Sequence, residues 1–559
     1  MNAAENGLYF LPLGGSDEIG MNFNLYGYGP ESDRKWILVD CGVTFGDLST
    51  PGIDIIMPDS RFIEEHRDDL IAIVLTHAHE DHMGAVAHLW RRLGQPPIYA
   101  TPFTAYLVRD RLAEHGLLDE AELHEIGLNS RFVLGPFDLQ LVTLTHSIPE
   151  PNGLAIRTPE GLILHTGDWK LDPDPLIGAV TDSRALEALG DEGVLAMVCD
   201  STNVFNKGES GSEGDVREEM IKLVGEQTGK VAIAAFASNV ARLETAIKAA
   251  EANGRRVCLV GRSMYRMTAA AKHVGLLADC APFVEEEEAG YFPPEKILYL
   301  CTGSQGEPRA ALSRIAEGSH RNVTLGAGDT VIFSSRVIPG NERGIFDLMN
   351  RLAARGVKLV TEKDRGIHVS GHPCREELRQ MYQWAKPHIA IPVHGERRHL
   401  MEHAQFAASL QIPHTLSPKN GDMIRITQNG AFVVDEAPAG RLHVDGNFIT
   451  EADALSIKER RRLSFAGHVG VAMVMSDHGK LLAGPDVRAM GLPDTPDYGL
   501  DEFLDDLADV AERAFDRLSK RDKRDEEKVE EEVRLAVRRE AQRIWGKKPH
   551  VEVSVLSVA

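Results

Sequence analysis

Three histidines and two carboxylates fall within the seven residues Thr76-His77-Ala78-His79-Glu80-Asp81-His82. The segment directly follows the apolar run Ile71–Leu75, which predicts a buried β-strand. Polar residues just beyond such a strand open into the crevice in which α/β folds bind ligands. Imidazoles and carboxylates crowded at this position are typical of a divalent metal site, and they indicate a metal-dependent hydrolase.

Candidate ligands for a second ion follow other predicted strands. Two neighbouring divalent ions need about three protein ligands each and a carboxylate that bridges them. We predict that one ion is held by His77, His79 and His146, the other by Asp81, His82 and His394, and that Asp168 bridges the two. Asp40 is left over from this set, and we expect it to orient a ligand histidine or the loop amides.

The elements that position these residues repeat one pattern in the N-terminal two-fifths of the chain. A short apolar run is followed by a polar residue in each case: Trp36–Val39 by Asp40, Ile71–Leu75 by His77, Leu139–Leu144 by His146, Leu162–Leu164 by Asp168, and Val194–Val198 by Asp200. The repetition predicts stacked sheets in an α/β layered domain, with functional loops along one edge.

A second α/β domain is predicted from the alternation of strand and helix signals between about Gly208 and Ile367. Its predicted parallel strands are Val231–Ala234, Arg256–Val260, Ile297–Leu300 and Thr330–Phe333. The run Ile389–Val393 followed by His394 then returns to the first pattern, so the second domain is expected to be inserted into the first. The predicted division is 1–207 and 368–434 for the first domain, 208–367 for the insertion, 435–455 for a polar linker and 456–559 for a C-terminal domain.

The C-terminal domain is predicted to combine helices and strands. It shows a hairpin signal around Asp477–Lys480, a charged helical stretch from about Asp501 to Trp545 and a final alternating strand, Val551–Val558. The charges of Lys520–Arg539 are interpreted as a solvated helix face, with oligomerisation or RNA contact as the alternatives.

Composition limits the classes of protein that fit. The six cysteines form no C-x-x-C pair, so a thiolate zinc site is excluded and any metal is held by nitrogen and oxygen. No apolar run approaches the roughly 18–20 residues of a membrane span, and the first residues lack a signal-peptide pattern, so we expect a cytoplasmic protein with no membrane partner. The net charge of −23 opposes a polyanionic partner at long range, although bound cations or a basic channel reverse the sign locally.

The cluster and the residues that follow it resemble known proteins. T-H-A-H-x-D-H with separated His, Asp and His resembles the metallo-β-lactamase fold, and an insertion accompanied by Asp200, His372 and His394 resembles its nucleic-acid-processing branch, the β-CASP nucleases. Within that branch the chain is similar to the bacterial ribonuclease J family through the motifs Leu13–Asn22, Asp200–Asn203, Phe236–Asn239, Gly261–Met264, Thr302–Pro308, Pro339–Glu342 and His368–His372.

The resemblance implies a fold, an activity and partners. The fold is an α/β metallo-β-lactamase αββα sandwich with an inserted α/β β-CASP domain and a small α+β C-terminal domain. The activity is 5′-to-3′ exonuclease and endonuclease cleavage of single-stranded RNA, with a preference for 5′-monophosphate ends, in rRNA and mRNA maturation and decay. The cofactors are two divalent ions, zinc with manganese as the alternative, and the assembly is a homodimer or homotetramer formed through the C-terminal domain.

The resemblance also suggests roles for individual residues. Asp81 or Asp168 would accept a proton from the attacking water, and His372, oriented by Asp200, would contact the scissile phosphate and protonate the leaving oxygen. Hydroxyls, an imidazole and backbone amides suited to a terminal 5′-phosphate are offered by Ser238, Asn239, His368, Ser370 and Gly371. Ordinary turn chemistry is the alternative for these five residues.

Three competing functions differ in what they require of the sequence. Metallohydrolases that act on small molecules, such as β-lactamases, thioesterases and single-domain phosphodiesterases, need neither the insertion nor the pair Asp200 and His372. A β-CASP endonuclease acting on other nucleic acid shares the site but not the whole motif series. A catalytically silent RNA-binding scaffold subunit typically loses metal ligands, whereas all seven are present here.

Overall fold

The computed structural model describes residues 6–338 and 340–558, so Pro339 of the motif 339–342 lies outside the described residues. The chain forms two compact units. The first comprises the chain up to Thr44 together with Met57–Arg441, and the second comprises Phe45–Ile56 together with the chain from Leu442 onward. The short strands Thr44–Phe45 and Ile55–Pro58 stand where the chain passes from one unit to the other.

Two large sheets form the first unit, counted over the described residues. The eight-stranded sheet has the spatial order Gly430–Glu436, Asp422–Thr427, Gly7–Gly14, Phe23–Gly29, Lys35–Val39, Leu70–Val74, Ile98–Ala100 and Leu123–Glu125. The seven-stranded sheet has the order Arg131–Leu134, Phe137–Thr143, Asn152–Thr158, Gly161–His165, Val194–Asp200, Ile389–Val393 and His414–Thr415. A small pair, Ser16–Asp17 with Gly395–Glu396, lies at their edge.

The main core lies between these two sheets. Leu8, Ile37 and Val74 of the first sheet pack with Leu139 and Ile163 of the second, all of them fully or almost fully buried. The helices Ser183–Glu192, Arg375–Ala385 and Arg397–Ser409 cover the outer face of the seven-stranded sheet, and Pro102–Glu114 packs on the edge of the other sheet. The short helices Arg61–Glu65, Glu80–Met83 and Val86–Leu89 complete this part. The predicted helix–sheet–sheet–helix sandwich is confirmed.

A separate parallel sheet lies in the chain between the strands Val194–Asp200 and Ile389–Val393. Its order is Arg256–Val260, Ile297–Cys301, Val231–Ala234, Thr330–Phe333 and Lys358–Val360. The helices of this region are Glu213–Gly225, Val240–Ala252, Arg262–His273, Glu286–Ala289, Ala311–Glu317 and Glu342–Ala354. The four predicted strands are present, and the short strand Lys358–Val360 is an addition to the prediction.

After this parallel sheet the chain returns to the seven-stranded sheet, next to the strand Val194–Asp200 from which it left. Ile389–Val393 pairs in parallel with Val194–Asp200, and Asp200 lies opposite Val393 in the register. This pairing is why Asp200 and His394, far apart in sequence, emerge side by side at one sheet edge.

The second unit contains a three-stranded sheet of the described residues, on which the helices Leu500–Arg517 and Glu526–Trp545 pack. The sheet has the order Leu481–Met490, His468–Ser476 and His550–Val558, and the helices of the unit are Leu455–Ala466, Leu500–Arg517 and Glu526–Trp545. The predicted charged helical stretch is present as two helices, because the first ends at Arg517 and Asp525 caps the second by accepting a hydrogen bond from the Lys528 N–H. Val529, Val533 and Val537 are buried along one face, which leaves the charged residues on the solvent side.

The predicted linker 435–455 contains regular strands. The strand Gly430–Glu436 ends inside it, and Arg441–Asp445 and Phe448–Glu451 form an antiparallel hairpin. The turn between them uses Gly446 at φ 61°, a conformation that glycine adopts without strain. Polar composition concealed the alternation of apolar and polar side chains in these short strands. Among the described residues, no helix has the length and apolar character needed to cross a membrane.

Candidate active site

The seven predicted metal ligands lie just beyond the ends of strands at one edge of the two sheets. His77 and His79 follow Leu70–Val74, and His79 precedes the short helix Glu80–Met83 that carries Asp81 and His82. The remaining ligands follow three strands of the other sheet: His146 after Phe137–Thr143, Asp168 after Gly161–His165, and His394 after Ile389–Val393. The edge gathers residues from chain positions 77 to 394 because these strands end together.

These ligands form two groups that share one residue. His77, His79, His146 and Asp168 make the first group, and Asp81, His82, Asp168 and His394 make the second. Within each group the candidate ligand atoms all lie within 4.8 Å of one another. The two groups contain the same residues as the predicted division, and Asp168 is the residue common to both.

Asp168 occupies the centre of the site. Its Oδ2 lies 3.2 Å from His82 Nε2, 3.6 Å from His394 Nε2, 3.7 Å from His146 Nε2 and 3.9 Å from His77 Nε2. Its Oδ1 is buried and has no hydrogen-bond partner among the described residues. A buried carboxylate with an unpaired oxygen amid four imidazoles fits a bridge between two cations.

The spacing of the histidine nitrogens also fits a metal ion. His79 Nδ1 lies 3.1 Å from both His77 Nε2 and His146 Nε2. Nitrogens bound to a tetrahedral zinc ion at about 2.0–2.1 Å are about 3.3 Å apart. Three imidazole nitrogens that point at one place at this spacing match a shared ion better than a chain of hydrogen bonds.

The second ring nitrogen of the ligand histidines is held by another group. His82 Nδ1 donates to Asp40 Oδ2 at 2.8 Å, and His146 Nδ1 donates to the Gly371 carbonyl at 2.6 Å. His394 Nδ1 lies beside the Asn22 side-chain amide, 2.9 Å from Nδ2 and 3.1 Å from Oδ1. The bonds of His82 and His146 fix their tautomers, so that Nε2 of each presents its lone pair to the candidate metal site.

Asp40 has both of the predicted supporting functions. Besides holding His82, it accepts a hydrogen bond from the Thr76 N–H at 2.8 Å through Oδ1, which fixes the start of the histidine loop. The supporting positions of Asn22 and the Gly371 carbonyl were not predicted. A sequence signal existed for Asn22, which ends the glycine-rich segment Leu13–Asn22, but the Gly371 carbonyl is a backbone group and carries none.

The protonation states of the first ligand group suit metal binding. Burial lowers the pKa of His79 to about 4, and burial also places the pKa values of His77 and His146 well below their usual range. Burial alone would raise the pKa of Asp168, but the imidazoles of His394 and His82 outweigh it and hold that pKa well below its usual range. These three imidazoles are therefore neutral and the carboxylate is charged at neutral pH, which are the states that bind metal ions.

The backbone is strained at two of these positions. His394 has φ 53° and Asp40 has φ 65°, values in the left-handed region that non-glycine residues rarely adopt. The His394 N–H donates to the Gly15 carbonyl at 2.6 Å, which holds this conformation. Strain of this kind persists where surrounding structure imposes it, and it is concentrated at functional sites.

His372 and Asp200 form a pair beside the metal ligands. His372 Nδ1 donates to Asp200 Oδ2 at 2.8 Å and lies 3.9 Å from Asp168 Oδ2. Burial lowers the pKa of His372, but the carboxylates of Asp200 and Asp168 outweigh it and raise the pKa to about 9. A partly exposed imidazolium whose Nδ1 is occupied has Nε2–H left to donate, as a general acid requires.

Asn203 holds the loop that carries His372. Its Nδ2 donates to Ser370 Oγ at 2.6 Å and to the His372 carbonyl at 3.0 Å. Thr202, next to it, donates to the His394 carbonyl at 3.1 Å. The Asp200–Asn203 segment therefore ties the His372 loop to the metal ligand His394, a supporting role that was not predicted.

The five residues predicted for a terminal phosphate differ in their surroundings. Ser238, His368, Ser370 and Gly371 are partly exposed, whereas Asn239 is 7% exposed. Asn239 caps the helix Val240–Ala252, because its Oδ1 accepts from the Arg242 N–H at 2.9 Å and its Nδ2 donates to Glu213 at 3.2 Å. The alternative of ordinary turn chemistry therefore describes the Asn239 side chain.

Gly371 serves the metal site through its size. A Cβ at this position would lie 2.9 Å from His146 Cε1 and 2.9 Å from Ser147 Oγ. The absent side chain lets the backbone approach the ligand histidine closely enough to accept its hydrogen bond.

Four family models match successive parts of the chain. They are a beta-lactamase superfamily domain over residues 35–186, the ribonuclease J beta-CASP domain over 228–352, a Zn-dependent metallo-hydrolase RNA specificity domain over 356–415, and the ribonuclease J C-terminal domain over 455–558. The first of these matches includes six of the seven candidate ligands, from His77 to Asp168.

Curated relatives match along almost the whole chain. Ribonuclease J of Sinorhizobium meliloti is 46% identical over 556 residues, covering 100% of this chain and 98% of the relative. Ribonuclease J of Corynebacterium glutamicum is 37% identical, covering 99% of this chain and 76% of the relative. Ribonuclease J of Thermus thermophilus is 36% identical, covering 84% of this chain and 82% of the relative.

A solved structure shares the fold. The crystal structure of a protein of unknown function from Enterococcus faecalis V583 superimposes with a TM-score of 0.51 at 16% sequence identity. It covers 75% of this chain and 100% of the other. At this identity the likeness concerns the fold alone.

Proposed function

The chain belongs to the ribonuclease J family of metal-dependent ribonucleases, and from this we propose that it degrades single-stranded RNA from the 5′ end and also cleaves RNA internally. The enzyme is a hydrolase built on a metallo-β-lactamase domain with a β-CASP domain. Within this activity, the preference for 5′-monophosphate ends and the roles in rRNA and mRNA maturation and decay are part of the proposal.

The observation that carries the proposal is the position of Asp168. One carboxylate oxygen lies within 3.9 Å of imidazole nitrogens from both ligand groups, and the His372–Asp200 pair stands beside it. A phosphodiester needs a nucleophile, neutralisation of developing negative charge and a proton for the leaving oxygen. The ligand groups and this pair provide a place for each of these.

Metal ions bound by the two groups would activate water and neutralise the phosphoryl charge. The protein residues then have separate roles. Asp81 is the better candidate for accepting the proton of the attacking water, because its side chain is 30% exposed whereas that of Asp168 is 3% exposed and surrounded by imidazoles. His372 protonates the leaving 3′ oxygen through Nε2, and Asp200 keeps that imidazole oriented and charged.

Two divalent ions per chain are proposed as the cofactor. Zinc suits the imidazole-rich first group, and the same nitrogen and oxygen donors accept manganese. We further propose the domain division 1–207 with 368–434, 208–367 and 456–559, with a linker at 435–455. We also propose action in the cytoplasm on single-stranded RNA, and a homodimer or homotetramer formed through the C-terminal domain.

The product pattern on matched substrates tests the proposed function. Single-stranded RNA bearing a 5′-monophosphate, the same RNA bearing a 5′-triphosphate, and the corresponding DNA are incubated with the enzyme and divalent metal. We expect mononucleotides to appear first from the monophosphorylated RNA, and little product from the DNA. Equal degradation of RNA and DNA, or turnover of a lactam or thioester without RNA cleavage, would contradict the proposal.

The double variant His368→Ala with Ser370→Ala tests the terminal phosphate pocket. We expect the ratio of kcat/KM for 5′-monophosphorylated over 5′-hydroxyl RNA to fall by about 10- to 100-fold, the effect of losing hydrogen bonds to a charged group. Internal cleavage of a circular RNA, which has no end, serves as the control and is expected to stay near the wild-type rate. An equal loss of both activities would refute the assignment of these residues to the pocket.

A further inference from the structure

The residues of the proposed phosphate pocket offer hydrogen bonds but no positive charge. Ser238 and Ser370 are hydroxyls, and Gly371 offers backbone only. Burial, with the charges of Arg242, Arg336 and Lys170, lowers the pKa of His368 to about 3, so this imidazole is neutral. A terminal phosphate monoester carries a charge of about −1.5 to −2 at pH 7, and a pocket that selects it needs a cation.

The tautomer of His368 follows from its neighbour. His368 Nδ1 lies 3.4 Å from Arg242 Nη1, which can only donate, so Nδ1 is the acceptor. The ring proton is therefore on Nε2, from which it can be donated to a phosphate oxygen. The Nε2–H of His368 can orient a bound phosphate by a hydrogen bond. Another residue must supply the positive charge.

Of the three cations whose charges act on His368, two already have carboxylate partners. Arg242 is completely buried and forms an ion pair with Glu213 at 3.0 Å. Lys170 is also buried and pairs with Asp172 at 2.8 Å. Arg336 is exposed, and its side chain makes no ion pair or hydrogen bond within residues 6–338 and 340–558. It is the cation of the three that remains available to a ligand.

The topology of the parallel sheet places Arg336 and Ser238 on loops that leave neighbouring strands. The neighbouring strands Val231–Ala234 and Thr330–Phe333 end in register, with Ala234 opposite Phe333. Ser238 lies on the loop that leaves the first strand, and Arg336 on the loop that leaves the second. Ligands of parallel α/β sheets bind outside these carboxyl ends.

Arg242 ties both loops to the segment that carries His368 and Ser370. Its Nη1 donates to the Ser334 carbonyl at 2.9 Å and to the Ile367 carbonyl at 3.1 Å. The charge of Arg336 also lowers the pKa of Cys374, which burial and Glu377 together raise to about 11. The charge of Arg336 thus lowers the pKa values of His368 and Cys374, which lie on either side of Ser370 in the chain.

The backbone at Arg336 is fixed although its side chain is free. Gln305 is buried, its Nε2 donates to the Arg336 carbonyl at 2.8 Å, and its Oε1 accepts from the Ile338 N–H at 3.0 Å. A guanidinium on an anchored backbone can bind phosphate with little loss of main-chain entropy.

We propose that Arg336 is a specificity-determining residue that binds the 5′-terminal phosphate of RNA and supplies the positive charge of that pocket. The inference rests on the proposed function and deepens it. Arg336 would donate a charge-assisted, forked hydrogen bond to the phosphate. The neutral groups Ser238, Ser370 and His368 Nε2 would donate to the same phosphate. The contribution of Arg336 is absent for a 5′-hydroxyl end and for internal cleavage.

Substitution of Arg336 separates this contact from the rest of the enzyme. We expect Arg336→Gln to lower kcat/KM for 5′-monophosphorylated RNA by about 10- to 100-fold, and to leave both 5′-hydroxyl RNA and internal cleavage of circular RNA near wild type. Arg336→Lys keeps the charge without the fork, and we expect it to recover part of the loss. The inhibition constant of adenosine 5′-monophosphate should rise with Arg336→Gln, whereas weak inhibition by adenosine should not change.

Arg321→Gln is the matched control. Arg321 is also exposed, and it lies on the connection that enters the strand Thr330–Phe333 rather than the one that leaves it. An Arg336→Gln enzyme that keeps the wild-type preference, or that loses activity equally on all three RNAs, overturns the inference while the proposed function stands. A wild-type enzyme with no preference for monophosphorylated ends overturns the proposed 5′ specificity and this inference with it.

Discussion

Asp168→Asn is expected to release bound divalent metal and to lower RNA cleavage by about 10³-fold or more. The substitution preserves size but removes the charge of the one residue that both ligand groups share. The neutral amide would also place an N–H₂ group among imidazole nitrogens that need to face a cation. Both ions lose a ligand at once, so the effect should exceed that of a change at any single histidine.

Metal content and activity must be measured together to interpret this variant. The purified Asp168→Asn protein should contain less than one equivalent of zinc or manganese by elemental analysis, with a thermal unfolding transition that still reports a folded chain. Asp138→Asn is a suitable control, because Asp138 lies on the same sheet but pairs with Arg131 at the surface. An Asp168→Asn enzyme with full metal content and wild-type activity would rule out the bridging role.

His372→Ala is expected to lower kcat for RNA by about 10²- to 10⁴-fold while metal content stays at the wild-type level. The imidazole lies outside the two ligand groups that share Asp168, and its Nδ1 is occupied by Asp200. Its loss therefore removes the proton donor for the leaving oxygen without removing a ligand. KM should change much less than kcat.

A substrate with a good leaving group distinguishes this role from a structural one. Bis(p-nitrophenyl) phosphate releases an anion that needs no protonation, so His372→Ala should lose far less activity on it than on RNA. Asp200→Asn should show the same selective loss, because Asp200 acts through His372. Equal losses on both substrates, or a drop in bound metal, would show that His372 supports the site in another way.

The grouping of the candidate metal ligands could be predicted because each follows a strand that the sequence marks clearly. His77, His146 and Asp168 stand directly beyond short apolar runs, and such runs become neighbouring buried strands. His394 could be predicted in the same way, since it follows the apolar strand Ile389–Val393, which repeats the strand-then-polar-residue pattern after the insertion. Asp40 was left over from the ligand count, and its predicted support of a histidine and a loop amide is what the structure shows.

The supporting contacts were beyond sequence reasoning because they join distant residues or use the backbone. The Asn22 side chain contacts His394 although the two residues are 372 positions apart in the chain. The Gly371 carbonyl belongs to the backbone, so no side chain signals its role. Asn239 has two interpretations from sequence, since a residue suited to phosphate binding is equally suited to capping a helix, the role its side chain has in the structure. Arg336 gave no signal, because only the structure shows which arginines already have partners.

The structure also weakens the competing functions. A small-molecule hydrolase has no need for an imidazolium held by a buried carboxylate next to the metal ligands, as His372 is held by Asp200. A silent scaffold has no need for seven ligands brought within bonding range in two groups. Both features are expected of an enzyme that cleaves a phosphodiester with a poor leaving group.

Metal removal and stepwise reconstitution test the two-metal ribonuclease most directly. The protein is stripped with a chelator, zinc or manganese is added back in measured equivalents, and mononucleotide release from 5′-monophosphorylated single-stranded RNA is followed. We expect the stripped protein to be inactive and activity to rise until about two equivalents per chain are bound. Activity that survives complete metal removal, or that reaches its maximum at one equivalent, would contradict the shared site built around Asp168.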